Sequence, residues 1–197
     1  MATGRVSATY HSSGPNDWSS ADPAMESAER LYQQMTQRGL LSTVREWLGG
    51  QPSRLLTLGE VVDDATALEG RPLGLQQVSV TQIVGSVEAS RSQDFDAAFR
   101  PRNSHLKQRW LRVAMSRQRG TSRRLPPVEL VQLGERYFVV DGHHRVSVER
   151  ALGGKAVEAN VTDLTPRDRV EASSFQMMAA IDDLSVSHRR SLDGGVG

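Results

Sequence analysis

The spacing of apolar residues changes several times along the chain, and each change marks an element. Between Ser20 and Leu48, Met25, Ala28, Leu31, Tyr32 and Met35 recur three and four residues apart, the period of one helix face. Gly39 reads as the end of that helix, and Leu40 to Leu48, closed by Gly49 and Gly50, as a second short one. RLLTLGEVVDDATALEG fits a strand turning into a helix as well as a loop leading to one. VSVTQIVGSV, Val78 to Val87, is rich in β-branched residues and reads as one strand with a break at Gly85. Further on, Leu106, Trp110, Val113 and Ala114 share a helical face, with Asn103 or Ser104 as its cap and Gly120 as its end. VELVQL and YFVV, separated by Gly134, Glu135 and Arg136, predict a β-hairpin. Asp141-Gly142 then turns the chain into a helix from His143 to Leu152 that Gly153 stops. AVEANVTDL is a last strand, and Thr165-Pro166 opens a C-terminal helix.

Charge sharpens this pattern in one place. Between Ala97 and Val128 there is no acid, while Arg100, Arg102, Lys107, Arg109, Arg112, Arg117, Arg119, Arg123 and Arg124 are basic. Such a segment either steers phosphate-bearing partners, DNA among them, or is a solvated face balanced by acids elsewhere. Over the whole chain the charges nearly cancel, at +1. A hydrophobic fraction of 38% with a mean hydropathy of -0.44 predicts one core with poorly packed ends. Residues 1–20, rich in Ser, Gly, Thr and Asn, read as a disordered tail. No apolar run reaches the roughly 20 residues that span a bilayer, and no signal peptide is evident. A soluble, cytoplasmic protein is expected. The absence of cysteine removes thiolate nucleophiles, disulfides and thiolate metal sites.

The turn carries the chemistry. The first amides of a helix lack internal partners and sit at the positive end of its dipole, so they attract anions. Asp141, Gly142, His143, His144 and Arg145 stand there together. Gly142 lets a ligand approach the backbone, and His144, Arg145 and His143 add donors. With ordinary pKa values near neutrality, the histidines should hold an anion less well above about pH 7. In the bland alternative Asp141 is the helix cap and the cations are solvated. No His-x-x-x-His pattern supports a metal site, and no motif supports Ser147 as a nucleophile.

PPVELVQLGERYFVVDGHHRVSVERALGGKAVEANV resembles the ParB/sulfiredoxin-like superfamily, in which a hairpin leads to a Gly-x-x-Arg turn, a helix and a returning strand. VSVTQIVGS resembles that family's first strand, so the likeness covers about Gln77 to Leu164. VTQIVGSV, DFD, the basic helix and LPPVEL are also similar to a group of bacterial ParB-like proteins. In sulfiredoxin the turn is Gly-Gly-Cys-His-Arg; His143 stands in the place of its cysteine, so that reaction is excluded. In partition proteins the turn is Gly-Glu-Arg-Arg and holds CTP phosphates; Gly142 and Arg145 match it. Only about thirty residues follow the domain, which makes a complete partition clamp unexpected. Free serine kinases of the superfamily use a turn similar to Asp141-Gly142-His143-His144-Arg145 for nucleotide phosphates. A kinase also needs a carboxylate base, and Glu88, Asp94 and Asp96 are candidates by position.

The expected architecture is α/β: a ParB/sulfiredoxin-like small mixed sheet with flanking helices over residues 55–165, preceded by a helical extension over 21–54 and followed by a helix and tail over 166–197. The expected ligand is a nucleotide, ATP or CTP with or without Mg²⁺, serving a switch, an NTPase or a phosphotransferase. Arg109 or Arg112 would extend the anionic site. Two alternatives stand beside this: a DNA-binding protein or nuclease using Arg100, Arg102, Lys107, Arg109, Arg112 and Arg117, and a non-catalytic module that pairs or docks through its N-terminal helices.

Overall fold

The computed structural model describes residues 22–47, 54–62, 69–120 and 125–165, with backbone only for 40–47. The expected N-terminal tail and the expected helix after Thr165 lie outside them. The elements, in chain order, are α1 (Pro23–Trp47), β1 (Leu56–Thr57), α2 (Leu58–Val61), β2 (Arg71–Ser79), β3 (Ile83–Ser86), α3 (Ala89–Ser92), α4 (Lys107–Gln118), β4 (Val128–Leu133), β5 (Arg136–Asp141), α5 (His143–Ala151) and β6 (Ala156–Asp163). A 3₁₀ turn, Ser104–Leu106, leads into α4.

The six strands form one mixed sheet in the order β1-β3-β5-β4-β6-β2. β4 pairs antiparallel with β5 and parallel with β6, β3 pairs parallel with β1 and β5, and β2 pairs antiparallel with β6. The hairpin, the turn, α5 and β6 stand where the apolar pattern puts them. The run from Val78 to Val87 does not form one strand. It is split by a turn at residues 80–82, closed by the Gln82 amide on the Ser79 carbonyl at 3.1 Å, and its halves join opposite sides of the sheet. β2 and β3 stand four positions apart in the strand order, about 19 Å in a flat sheet. Four Cα steps reach about 14 Å at most. The sheet is therefore strongly curled.

Inside the curl, Val78, Ile83, Leu130, Val139, Ala159 and Val161 pack with Leu55, Phe95, Phe99 and Val146 of α5. Gly85 is required here for space: a Cβ would collide with the Leu56 carbonyl oxygen and the Phe138 ring, because β3 is squeezed between β1 and β5. Arg150 ties the far end of α5 to the β2–β3 turn by donating to the carbonyls of Val80 and Ile83, its guanidinium 4.7 Å from the centre of the Phe99 ring.

Gly39 does not end the first helix, which runs unbroken to Trp47. One glycine costs an exposed helix only about 1 kcal/mol, which the docking of this helix offsets. Ala28, Tyr32 and Met35 of α1 are buried against Trp110, Leu111, Ala114 and Met115 of α4, and Tyr32 meets Trp110 edge-on at 5.4 Å. Ala28, Tyr32 and Met35 of that face are thus covered within the chain. Trp110 is fully buried and donates to Ser147 Oγ at 2.8 Å, pinning α4 to α5 and fixing the distance between the basic helix and the turn.

Candidate functional site

Strand β5 ends at Asp141 and α5 starts at His143, so the chain reverses within one residue. Gly142 does this at φ 107° and ψ 19°, a left-handed conformation that a side chain resists. Space forbids a side chain too: a Cβ would lie 3.0–3.1 Å from the guanidinium of Arg145. The Gly142 carbonyl accepts the amides of Arg145 (2.8 Å) and Val146 (3.0 Å). That leaves the amides of His143 and His144 with no acceptor among the described residues, at the positive end of the helix.

Neither histidine is the solvated cation that the sequence suggests; His143 is 6% and His144 8% exposed. The ring of His143 lies at 18° to that of Phe95 with centroids 6.0 Å apart, and His144 meets the same ring edge-on at 5.4 Å. Nε2 of His143 is 2.9 Å from Ser86 Oγ. That hydroxyl donates to the Glu88 carbonyl at 3.0 Å and accepts the Glu88 amide at 3.2 Å. Nδ1 of His144 is buried without a hydrogen-bond partner among the described residues. Burial disfavours the imidazolium, aided by Arg91 at His143 and by Arg109 at His144, and pushes both groups down to about 4. Both rings are neutral at pH 7. The expectation of binding that weakens above pH 7 through histidine charge is corrected accordingly.

Arg145 is a clamp. It donates to Asp141 Oδ2 at 2.6 Å, to the Pro127 carbonyl at 2.5 Å and to the Pro126 carbonyl, tying the residues that lead into β4 to the start of α5. Burial lowers its pKa, and the neighbouring Asp141 opposes the shift. Asp141 is therefore Arg145's partner, and the helix cap is Gly142.

Facing the turn are Arg91 of α3 and, three residues apart on α4, Arg109 and Arg112. Together with Gly142, His143, His144 and Arg145 they line an open pocket of about 730 Å³. Among the described residues, four arginines face two carboxylates there, Glu88 and Asp141. Asp141 is occupied by Arg145, and Glu88 stands 4.0 Å from Arg91. Arg109 and Arg112 have no ion-pair partner among the described residues. Val113, Leu125, Pro126 and Val140 add apolar atoms to the lining of the same pocket. The site offers both cationic donors and apolar atoms to a ligand.

The remaining candidates separate by position. Of the three carboxylates proposed as a base, only Glu88 lines the pocket. Asp94 accepts from Arg91 (3.4 Å) and Asn103 (3.2 Å). Asp96 is 1% exposed and accepts the amides of Ala98 and Arg100 and the Arg100 Nε, at 2.9, 2.9 and 2.6 Å. It builds the turn that holds Phe99 at φ 61°. Arg100 is thus taken up by Asp96, Lys107 pairs with Glu29 of α1 at 3.3 Å, and Arg117 pairs with Glu149 of α5 at 2.8 Å. Arg102 does not line the pocket; Arg123 and Arg124 lie outside the described residues. Sequence reasoning missed Ser86, Phe95 and Arg91. Ser86 sits 57 residues before its partner His143, and no local pattern joins the two.

Among the described residues, no group of three or more His, Asp or Glu side chains is placed to hold a metal ion, and no helix is long and apolar enough to cross a membrane. No protein-family model matches the chain, and no curated protein does. Among solved structures, the sulfiredoxin from Arabidopsis thaliana is weakly similar, at 15% identity and a TM-score of 0.32 over 46% of this chain and 86% of that one.

Proposed function

We propose that this pocket binds a phosphate-bearing ligand, with a nucleoside triphosphate such as ATP or CTP, alone or with Mg²⁺, as the leading candidate. The observation that carries the reading is the meeting of Arg109 and Arg112, unpaired among the described residues, with the open amides of His143 and His144 across one pocket. Guanidinium groups and helix-terminal amides both favour phosphate oxygens. The pocket volume, about 730 Å³, is in the range of small-molecule sites, and its apolar lining residues suit a ligand larger than a bare anion. Arg145 contributes mainly by holding the turn in shape. Should the protein also transfer or hydrolyse phosphate, Glu88 is the candidate base, because it is the one of the three carboxylates that lines the pocket.

Calorimetric titration of ATP, CTP and GTP, with and without Mg²⁺, tests the proposal. Saturable binding by the wild type that is lost in Arg109→Ala/Arg112→Ala is expected. Absence of binding by all three would overturn the nucleotide reading. A nucleic-acid surface is the second reading and has less support, because Arg100, Lys107 and Arg117 are engaged by acids. It predicts salt-dependent DNA binding that neutralising Arg117 weakens.

A further inference from the structure

The hydrogen bonds around His143 settle which of its nitrogens carries the proton. Ser86 Oγ has one proton and two acceptors within reach, the Glu88 carbonyl at 3.0 Å and His143 Nε2 at 2.9 Å. A carbonyl cannot donate. If the hydroxyl proton went to His143, the Glu88 oxygen and Ser86 oxygen would face each other with no hydrogen between them. If it goes to Glu88, His143 Nε2–H donates to Ser86, and all three contacts, including the Glu88 amide at 3.2 Å, are hydrogen bonds. The second arrangement wins. Neutral His143 then has an unprotonated Nδ1, which no described group engages, on a ring that lines the pocket. The ring is held by Phe95 and by its own burial, so the lone pair cannot be exchanged for a donor without breaking the Ser86 contact.

Arg91, Arg109, Arg112 and the amides of His143 and His144 donate there, and the neutral ring of His144, whose Nδ1 has no partner among the described residues, has no hydrogen bond to fix its tautomer. We infer that His143 is an acceptor whose tautomer is fixed by its hydrogen bond to Ser86, and that the site selects a phosphate that keeps an O–H over an oxyanion of similar size and charge with none, such as sulfate. The inference rests on the phosphate reading above. A hydrogen phosphate can give its proton to Nδ1 while its other oxygens meet the arginines and amides. Sulfate sets a lone pair against a lone pair and leaves a buried acceptor unmatched. Glu88 and Asp141 are also acceptors, but Glu88 is exposed and Asp141 is occupied by Arg145.

The test is the titration of inorganic phosphate and of sodium sulfate into the full chain near pH 7, at matched ionic strength. Phosphate is expected to bind about tenfold or more tighter than sulfate, the scale of one unmatched buried polar group. In Ser86→Ala the lock on the tautomer is removed, Nδ1 can carry the proton, and the preference should fall toward one with phosphate still bound. ATP binding that weakens from about pH 6 to about pH 8, as a terminal phosphate loses its last proton, extends the same selection to a nucleotide. Binding that strengthens over that range overturns it. Equal binding of phosphate and sulfate by the wild type overturns the selection and leaves the phosphate site standing. A preference that survives Ser86→Ala, or that Glu88→Gln removes instead, also overturns it. If neither anion binds, the phosphate reading fails with it.

Discussion

Two neutral histidines buried beside a ring of arginines should make folding acid-sensitive in a window set by their own ionisation. In the unfolded chain each takes up its proton near the ordinary 6.5; in the fold each waits until about 4. Above 6.5 both states are unprotonated and the histidines do not affect the balance. As pH falls below 6.5 the unfolded chain binds protons that the folded one refuses, so stability is lost progressively down to about 4. At 1.36 kcal/mol for each tenfold change, this amounts to about 2 kcal/mol per histidine between pH 7 and pH 5, and about 4 for the two. That is a large share of a typical domain stability of 5–15 kcal/mol. The Glu60 carboxylate acts in a lower window. Glu60, whose carboxyl the Arg54 hydrogen bond holds at about 2, retains its stabilising effect above its ordinary 4.5 and loses it only as pH falls below that toward 2. Urea denaturation at pH 7, 6 and 5 measures the effect as a falling midpoint. The same series on His143→Gln/His144→Gln should be nearly flat. Parallel losses of stability in wild type and double variant would refute the argument, because they would place the acid sensitivity elsewhere.

Other consequences follow from contacts already described. Gly142→Ala should destabilise by about 1–3 kcal/mol, from left-handed strain and a Cβ against a clamped Arg145, and thermal melting would show it; an unchanged melting temperature would mean that the turn relaxes freely. Trp110→Phe should cost about 1–3 kcal/mol by leaving Ser147 Oγ buried without its partner, measured by urea unfolding, and Ser147→Ala in the same background should add little. Arg109→Ala/Arg112→Ala should melt near the wild-type temperature while losing nucleotide. Asp96→Asn should do the reverse, since that buried carboxylate serves the turn holding Arg100; differential scanning fluorimetry with and without ATP separates the two.

Local signals in the chain were enough to place the hairpin, the Asp141-Gly142 turn, α5 and the basic helix, because turn chemistry and periodicity are properties of neighbouring residues; the expected cap is not made, since Asn103 donates to Asp94 and a 3₁₀ turn leads into α4. They also singled out Gly142 and Arg145, though Arg145 serves the turn as a clamp on two proline carbonyls. Where two strands are joined by a short turn without glycine or proline, as at residues 80–82, the apolar pattern runs on unbroken and the split is invisible. Gly39 misled in the opposite sense, since its cost is small beside the docking of α1 on α4.

The roles of the charged residues are of another kind. Nine cations between Ala97 and Val128 are alike in the sequence. Packing separates Arg109 and Arg112, facing a pocket, from Arg100, Lys107 and Arg117, each spent on an acid from 4 to 78 residues away. The histidines lose their charge for the same reason: ionisation depends on how much water and which charges surround a ring, and Ser86 reaches His143, 57 residues on in the chain, because β3 pairs with β5. Backbone conformation is written in residues close along the chain, whereas charge state and pairing depend on distances in space.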